Sequence, residues 1–349
     1  MFYSLHNLVL FSLNGPASFS NSYRYLNYKV DSCEISDLDF IVNIGNFKPN
    51  LSDCLKFDDK YYIKRNYLYC KTDQYKLLKW ELEINGLETG PIKINIKINS
   101  HFMRHMKTSY VLLEGAIIDP LIHYILIKKG AALLHASCIS KNGKGILFIA
   151  RGGAGKTTIS TNLIQHGFTF ISDNYTIITA SNGLLGFVEP LNLFSYNLNK
   201  FIKKGLTYKQ KAELFFKKVI YSLSMRYVKL FLRVMPSQIF TAISSTASLH
   251  SSILLIPHQQ VNVDPDLHHV SKSELIAHIS ANQKLEFPYL DKYFIAYSYA
   301  FPMSQPSNMW EDYSSVLDTL LSDNSYLLDI PSKYDERIFK SFLKLLVTC

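Results

Sequence analysis

The sequence predicts an α/β domain preceded by a smaller, β-rich N-terminal domain. Three observations carry that expectation. Residues 145–150 form an apolar run of strand length, followed by a glycine-rich stretch and then by apolar residues at helical spacing. A second apolar run, 168–172, follows that helix and ends in Asp173-Asn174. Well upstream, Ile92, Ile94, Ile96 and Ile98 alternate with Lys93, Asn95 and Lys97, the period of a half-buried strand.

Composition allows both domains. With 349 residues, 48% of them hydrophobic and 19% charged, the chain has ample material for packed cores and is not a disordered protein. Its 5 cysteines are odd in number and scattered without zinc-ligand spacing, so reduced thiols in a cytoplasmic protein are expected. No apolar run is read as reaching the roughly eighteen residues that a membrane span needs. The apolar N-terminus lacks a basic leading segment and reads as a sheet strand rather than a signal peptide.

The N-terminal domain is expected over residues 1–108. Trp80, Leu82 and Ile84 alternate as the isoleucines do, and turn residues in 85–91 should join the two runs into a hairpin. Residues 40–44 and 61–70 read as further strands. Asp58-Asp59 beside Lys60 reads as a solvated turn rather than a metal site. No catalytic constellation is visible here, so docking or dimerisation is the default role, which leaves room for a homo-oligomer.

From residue 109 the pattern changes, and 109–349 is expected to form the second domain. Residues 110–127 are apolar enough for a buried helix, with Asp119-Pro120 marking a break or a second start. Residues 131–139 read as a strand carrying His135, and 141–144 as a tight turn. The stretch Ala150-Arg151-Gly152-Gly153-Ala154-Gly155-Lys156-Thr157 then reads as a phosphate-binding loop, with Ala150 where the pattern expects glycine. Backbone N–H groups of such a loop point into one concavity, where the helix dipole also favours negative charge. Lys156 adds a full positive charge, and the Thr157 hydroxyl suits a magnesium ion, which prefers hard oxygen ligands. Arg151, Gly152, Gly153, Ala154, Gly155, Lys156, Thr157 and Thr158 are therefore the expected nucleotide-binding residues. The helix should close at Gly167. In an open α/β sheet the carboxyl ends of neighbouring strands share a crevice, which places Asp173 opposite Lys156 and Thr157, within reach of the metal.

Much of the net charge of +9 clusters at 200–233, where ten cations (Lys200, Lys203, Lys204, Lys209, Lys211, Lys217, Lys218, Arg226, Lys229 and Arg233) stand against one anion, Glu213. Interleaved apolar residues predict one or two amphipathic helices, a basic insertion in the second domain. It reads as a solvated basic face, a lid over phosphates, or a dock for an acidic acceptor. No recognised module accompanies the charge, so no nucleic-acid partner is expected. Beyond it, 253–257 and 293–299 read as strands, and 273–282, 313–321 and 334–346 as helices. His268-His269 reads as a solvated pair.

Taken together, Leu-His-Ala-Ser at 134–137, a short turn, a strand, Gly-Gly-Ala-Gly-Lys-Thr-Thr, a helix, Gly167, and Ser-Asp-Asn at 172–174 resemble the HPr kinase/phosphorylase catalytic domain. The likeness is strongest to the HPr-kinase-related serine kinase branch that includes peptide-tailoring kinases of lasso-peptide clusters. The Gly-Lys-Thr-Thr is also similar to phosphoenolpyruvate carboxykinase, which shares that P-loop fold. The specific part covers about 45 residues. The obvious later strand, at 252–257, runs into Ile-Leu-Leu-Ile-Pro-His with no carboxylate for a Walker B role; Asp173 on the next strand takes that place, as in the resembled family.

The resemblance implies an ATP- and Mg²⁺-dependent kinase that transfers the γ-phosphoryl group to a hydroxyl, serine first, of a peptide, protein or small molecule. It implies that Lys156 contacts the terminal phosphates, that Thr157 and Asp173 bind magnesium with Glu189 as a second ligand, and that His135 is the active-site histidine. The family's acidic pair falls on Asp173 and Asn174, and its second member takes the proton of the substrate hydroxyl. An amide cannot act as a general base. Either Asp173 or His135 does that work, or the chain is a regulatory nucleotide-binding module without turnover. Arg226 and Arg233 are the candidates for an arginine that stabilises the transferring group.

Overall fold

Period-2 alternation builds the first sheet. In a computed structural model, which describes residues 1–75, 78–99, 107–181, 183–194, 200–224, 230–258 and 267–331, the chain forms nine N-terminal strands. They are β1 (Phe2–Leu5), β2 (Val9–Asn14), β3 (Lys29–Val30), β4 (Phe40–Ile44), β5 (Leu55–Phe57), β6 (Tyr61–Lys64), β7 (Tyr67–Tyr75), β8 (Leu78–Asn85) and β9 (Ile92–Ile98). Their order is β3-β1-β2-β4-β9-β8-β7-β6-β5. The expected hairpin is present, β8 pairing antiparallel with β9 and Trp80 standing opposite Ile98. Trp80, Leu82, Ile84, Ile92, Ile94 and Ile96 are all buried. The run at 61–70 is two strands rather than one, because Asn66 takes a left-handed φ of 62° and turns the chain back on itself. Asp58-Asp59 is a turn, both residues left-handed, with Asp59 paired to Lys56.

Two compact units are present, Met1–Ala132 with Gln283–Val316, and Leu133–Asn282 with Leu317–Cys349, and the fold is mixed α/β. The division therefore does not fall at 108/109. Lys107–Leu113, a π-helical turn Glu114–Ile118 and Asp119–Lys128 follow one another without a break and belong to the first unit. Contrary to the sequence reading, Thr108–Lys128 is long and apolar enough to cross a membrane, at a mean hydropathy of 1.6. Of that apolar window 83% is buried inside the protein, as in a core helix. The segment 293–299 is also not a strand. It lies in the helix Pro288–Ala300, where Leu290, Tyr293, Phe294 and Tyr297 bury one face at helical spacing. Its aromatic content suggests a strand, but Pro288 starts a helix and tertiary packing holds it.

The second unit holds β10 (Ala132–Leu134), β11 (Ala136–Lys141), β12 (Lys144–Ile149), β13 (Thr169–Ser172), β14 (Tyr175–Thr179), β15 (Gly183–Phe187), β16 (Leu191–Leu193), β17 (Leu232–Val234), β18 (Thr246–Pro257), β19 (Leu267–His269) and β20 (Ser325–Ile330). Seven of these run in the order β10-β14-β15-β18-β12-β11-β13, with β20 parallel to β18 and β16 paired with β17. The strand expected at 131–139 is broken at His135, which lies in a bend between β10 and β11. Asn142 and Gly143, both at positive φ, close the β11–β12 hairpin as a two-residue turn. Both β12 and β13 pair antiparallel with β11, so both end at the same edge. The helix Lys156–Ile164 buries Ile159 and Leu163 against Phe148, Ile253 and Leu255.

The basic insertion is only partly helical. Lys200–Gly205 and Tyr208–Leu223 are helices, the second opened by a capping box in which the Thr207 backbone N–H donates to Gln210 Oε1 at 2.9 Å. Arg233 sits on β17, while Arg226 and Lys229 lie outside the described residues, as does the helix expected at 334–346. Cys33, Cys54, Cys70 and Cys138 are free thiols; Cys349 lies outside the described residues.

Candidate active site

Glycine geometry shapes the loop that follows β12. Gly153 and Gly155 have φ of 86° and 97°, a region that residues with a Cβ rarely adopt. A Cβ added at Gly152 or Gly153 would meet nothing within 4 Å, so both backbones face open space. The N-cap of the helix Lys156–Ile164 is Gly155, and no side chain caps it. Its first N–H groups are thus available to an anion. The off-pattern Ala150 is accommodated by the core. It is 2% exposed, and its methyl packs in the same apolar cluster as Ile159, Leu163 and Ala154.

One cavity of about 500 Å³ gathers His135, Gly152, Gly153, Gly155, Lys156, Thr157, Thr158, Asp173, Asn174 and Glu189. Two expected loop residues do not line it. Arg151 is exposed, and Ala154 is buried in the core. The wall is completed by residues that sequence reasoning missed, Pro190, Leu191, Asn192 and Phe194. Asn192 stands between two buried leucines on β16, so alternation along that strand was its only signal. Asn282 is a further missed residue, its Nδ2 lying 3.4 Å from the Ala150 carbonyl oxygen.

Lys156 is 7% exposed. Its ammonium donates to the Ala150 carbonyl at 2.6 Å and to the Arg151 carbonyl at 3.3 Å, and lies 3.1 Å from His135 Nε2. An ammonium has donors and no lone pair, so toward a charged Lys156 the His135 Nε2 acts as acceptor. In this arrangement the histidine orients Lys156, while its ring lies 5.6 Å from that of Tyr175. Thr157 Oγ1 donates to Asp173 Oδ2 at 2.9 Å. Asp173 Oδ1 is shielded from solvent and has no hydrogen-bond partner. Burial pushes this carboxyl above the usual range, against the opposing pull of the Thr157 hydrogen bond and the Lys156 charge.

These residues fit a phosphate chain and a magnesium ion. An open glycine cradle, an uncapped helix start and a buried cation suit phosphate oxygens. Among the described residues no three His, Cys, Asp or Glu side chains converge as a metal cluster. Magnesium does not need one, since it takes one or two carboxylates and completes its shell with substrate oxygens and water. Asp173 Oδ1 and Thr157 Oγ1 are the available ligands, with Glu189 on the same wall. Of the two arginine candidates only Arg233 is described. It stands opposite Asn192 in the β16–β17 register and lies over the Phe231 ring at 5.8 Å.

No model of a known protein family matches the chain, and no curated protein does. Among solved structures the chain is similar to the HPr(Ser) kinase/phosphatase from Coxiella burnetii, by its name an enzyme. The identity is 16%, the match covers 40% of this chain and 70% of that one, and the TM-score is 0.22. A likeness at that score transfers no residue roles, so function rests on the geometry of the cavity.

Proposed function

We propose that the second unit binds ATP with magnesium at the 151–158 loop and transfers the γ-phosphoryl group to a hydroxyl, serine first, of a peptide, protein or small molecule. One observation carries this reading. Lys156 and Thr157 from one helix start, and Asp173 from the end of β13, meet in a single cavity beside a glycine cradle. Magnesium, when bound, supplies positive charge against the phosphoryl oxygens. Lys156 exchanges the loop carbonyls for phosphate oxygens, with His135 holding its ammonium in place. Thr157 and Asp173, now joined by a hydrogen bond, would hold the cation. Asp173 or His135, both on the cavity wall, takes the proton of the attacking hydroxyl. Asn174, on the same wall, is able to hydrogen-bond that hydroxyl but not to deprotonate it.

A second reading, nucleotide binding without turnover, is favoured by Asn174 and by the contacts that already occupy Lys156 and Thr157. ATP labelled at the γ-phosphorus separates the two. The kinase reading expects labelled phosphate released to water or transferred to a hydroxyl acceptor, dependent on magnesium. Tight binding without release or transfer favours the regulatory module. No binding at all overturns both.

A further inference from the structure

The helix Tyr208–Leu223 turns an apolar strip outward. Tyr208 is 91% exposed, Phe215 69%, Phe216 65%, Val219 37% and Leu223 79%. At about 100° per residue these five side chains fall within an arc of about 100°, roughly opposite the buried Leu214. Lys211 and Lys218 flank the strip on one side and Lys209 on the other, all exposed. The helix carries one acid, Glu213, and it is engaged by Lys217 at 2.5 Å. Lys203 and Lys204, on the preceding helix, are exposed as well.

An exposed strip of this kind is costly to keep in water unless something covers it. We infer that this helix docks the chain on an anionic lipid surface, lying flat in the interface with its aromatic strip inserted. The strip is a convex ridge on a single helix, the shape that enters the boundary between headgroups and acyl chains. Lysines on both flanks have stems long enough to follow the apolar surface while their ammonium groups reach lipid phosphates. A second copy seated face to face would crowd lysines from both chains around the strip, with no unengaged acid on the helix to pair them. Charge complementarity therefore favours an anionic bilayer. The inference is independent of the nucleotide site.

The test is flotation of the full chain with phosphatidylcholine vesicles prepared with and without phosphatidylserine. Binding is expected only with phosphatidylserine, and it should weaken as salt rises. Phe215→Ser with Phe216→Ser should lower partitioning by about a hundredfold, roughly tenfold per ring. Replacing Lys209, Lys211 and Lys218 by glutamine should cost about fivefold each. In a Phe215→Trp variant, tryptophan emission should shift to the blue on adding those vesicles. Three results would overturn the inference. The first is no binding to phosphatidylserine vesicles at low salt, with or without binding to polyglutamate. The second is binding undiminished in the double serine variant. The third is a dimer, seen by light scattering, that the double serine variant converts to a monomer, which would give the strip to a second copy.

Discussion

Replacing Asp173 by asparagine should stabilise the protein while disabling its site. Asp173 carries a charge whose Oδ1 is buried without a partner, and burial has raised its pKa. Leaving a buried acceptor unsatisfied costs about 1–3 kcal/mol, and more when it is charged. Asparagine removes the charge and keeps an oxygen for the Thr157 hydroxyl, although its amide nitrogen stays unpaired and the attraction to Lys156 is lost. The net gain should be about 1–2 kcal/mol at neutral pH, or about 2–4 °C in Tm for each kcal/mol. The pH dependence has a definite sign. A carboxyl with a raised folded-state pKa binds its proton more tightly when folded, so its destabilising effect is full above that pKa. The effect disappears as pH falls through it toward the ordinary value near about 4. Thermal melts of both proteins in metal-free buffer should therefore show a gap at pH 7 that closes on acidification. The same variant should lose magnesium-dependent turnover. A variant less stable than wild type at pH 7, or a gap that widens in acid, would refute the reasoning.

Asn174→Asp should raise phosphoryl transfer if a missing base limits the rate, by about 10²–10⁴-fold at most; no gain in a labelled-ATP assay would leave the proton to Asp173 or His135. At Gly186 an added Cβ would lie 2.4 Å from the Ile171 carbonyl oxygen, two residues before Asp173. Gly186→Ala should therefore lower stability by about 1–3 kcal/mol and weaken nucleotide binding, measured by melting and titration. In the first unit Tyr293 donates to Asp73 and accepts from Trp80 Nε1 at 3.0 Å, fully buried. Tyr293→Phe should cost about 1–3 kcal/mol in a denaturant titration, because the Trp80 N–H is left unpaired.

The parts of the fold legible in the sequence are those fixed by short-range chemistry. The isoleucine alternation of β9, the Asn142-Gly143 turn and the positive-φ glycines of the loop each impose a local geometry that needs no tertiary help. Asp173 beside Thr157 was legible too, because two strands ending at one edge must deliver their next residues to the same crevice. What failed depended on partners distant in sequence. The helix Pro288–Ala300 looks like a strand until its burial is known, and 131–139 looks like one strand because nothing local reveals that His135 hands the chain from β14 to β12 and β13. Asn192 carried no signal beyond strand alternation, its role in the wall arising from the β16–β17 pairing. Ala150 reads as a flaw in the motif and proves to be a packing residue.

The most direct test of the central claim is the affinity of the full chain for magnesium–ATP, wild type against Lys156→Ala, by calorimetric titration with melting curves as a control for folding. Charge-assisted contacts to phosphate are worth about 1.5–3 kcal/mol, so the variant should bind roughly ten- to hundredfold more weakly. Equal affinity in the two proteins would contradict the seating of a triphosphate against Lys156.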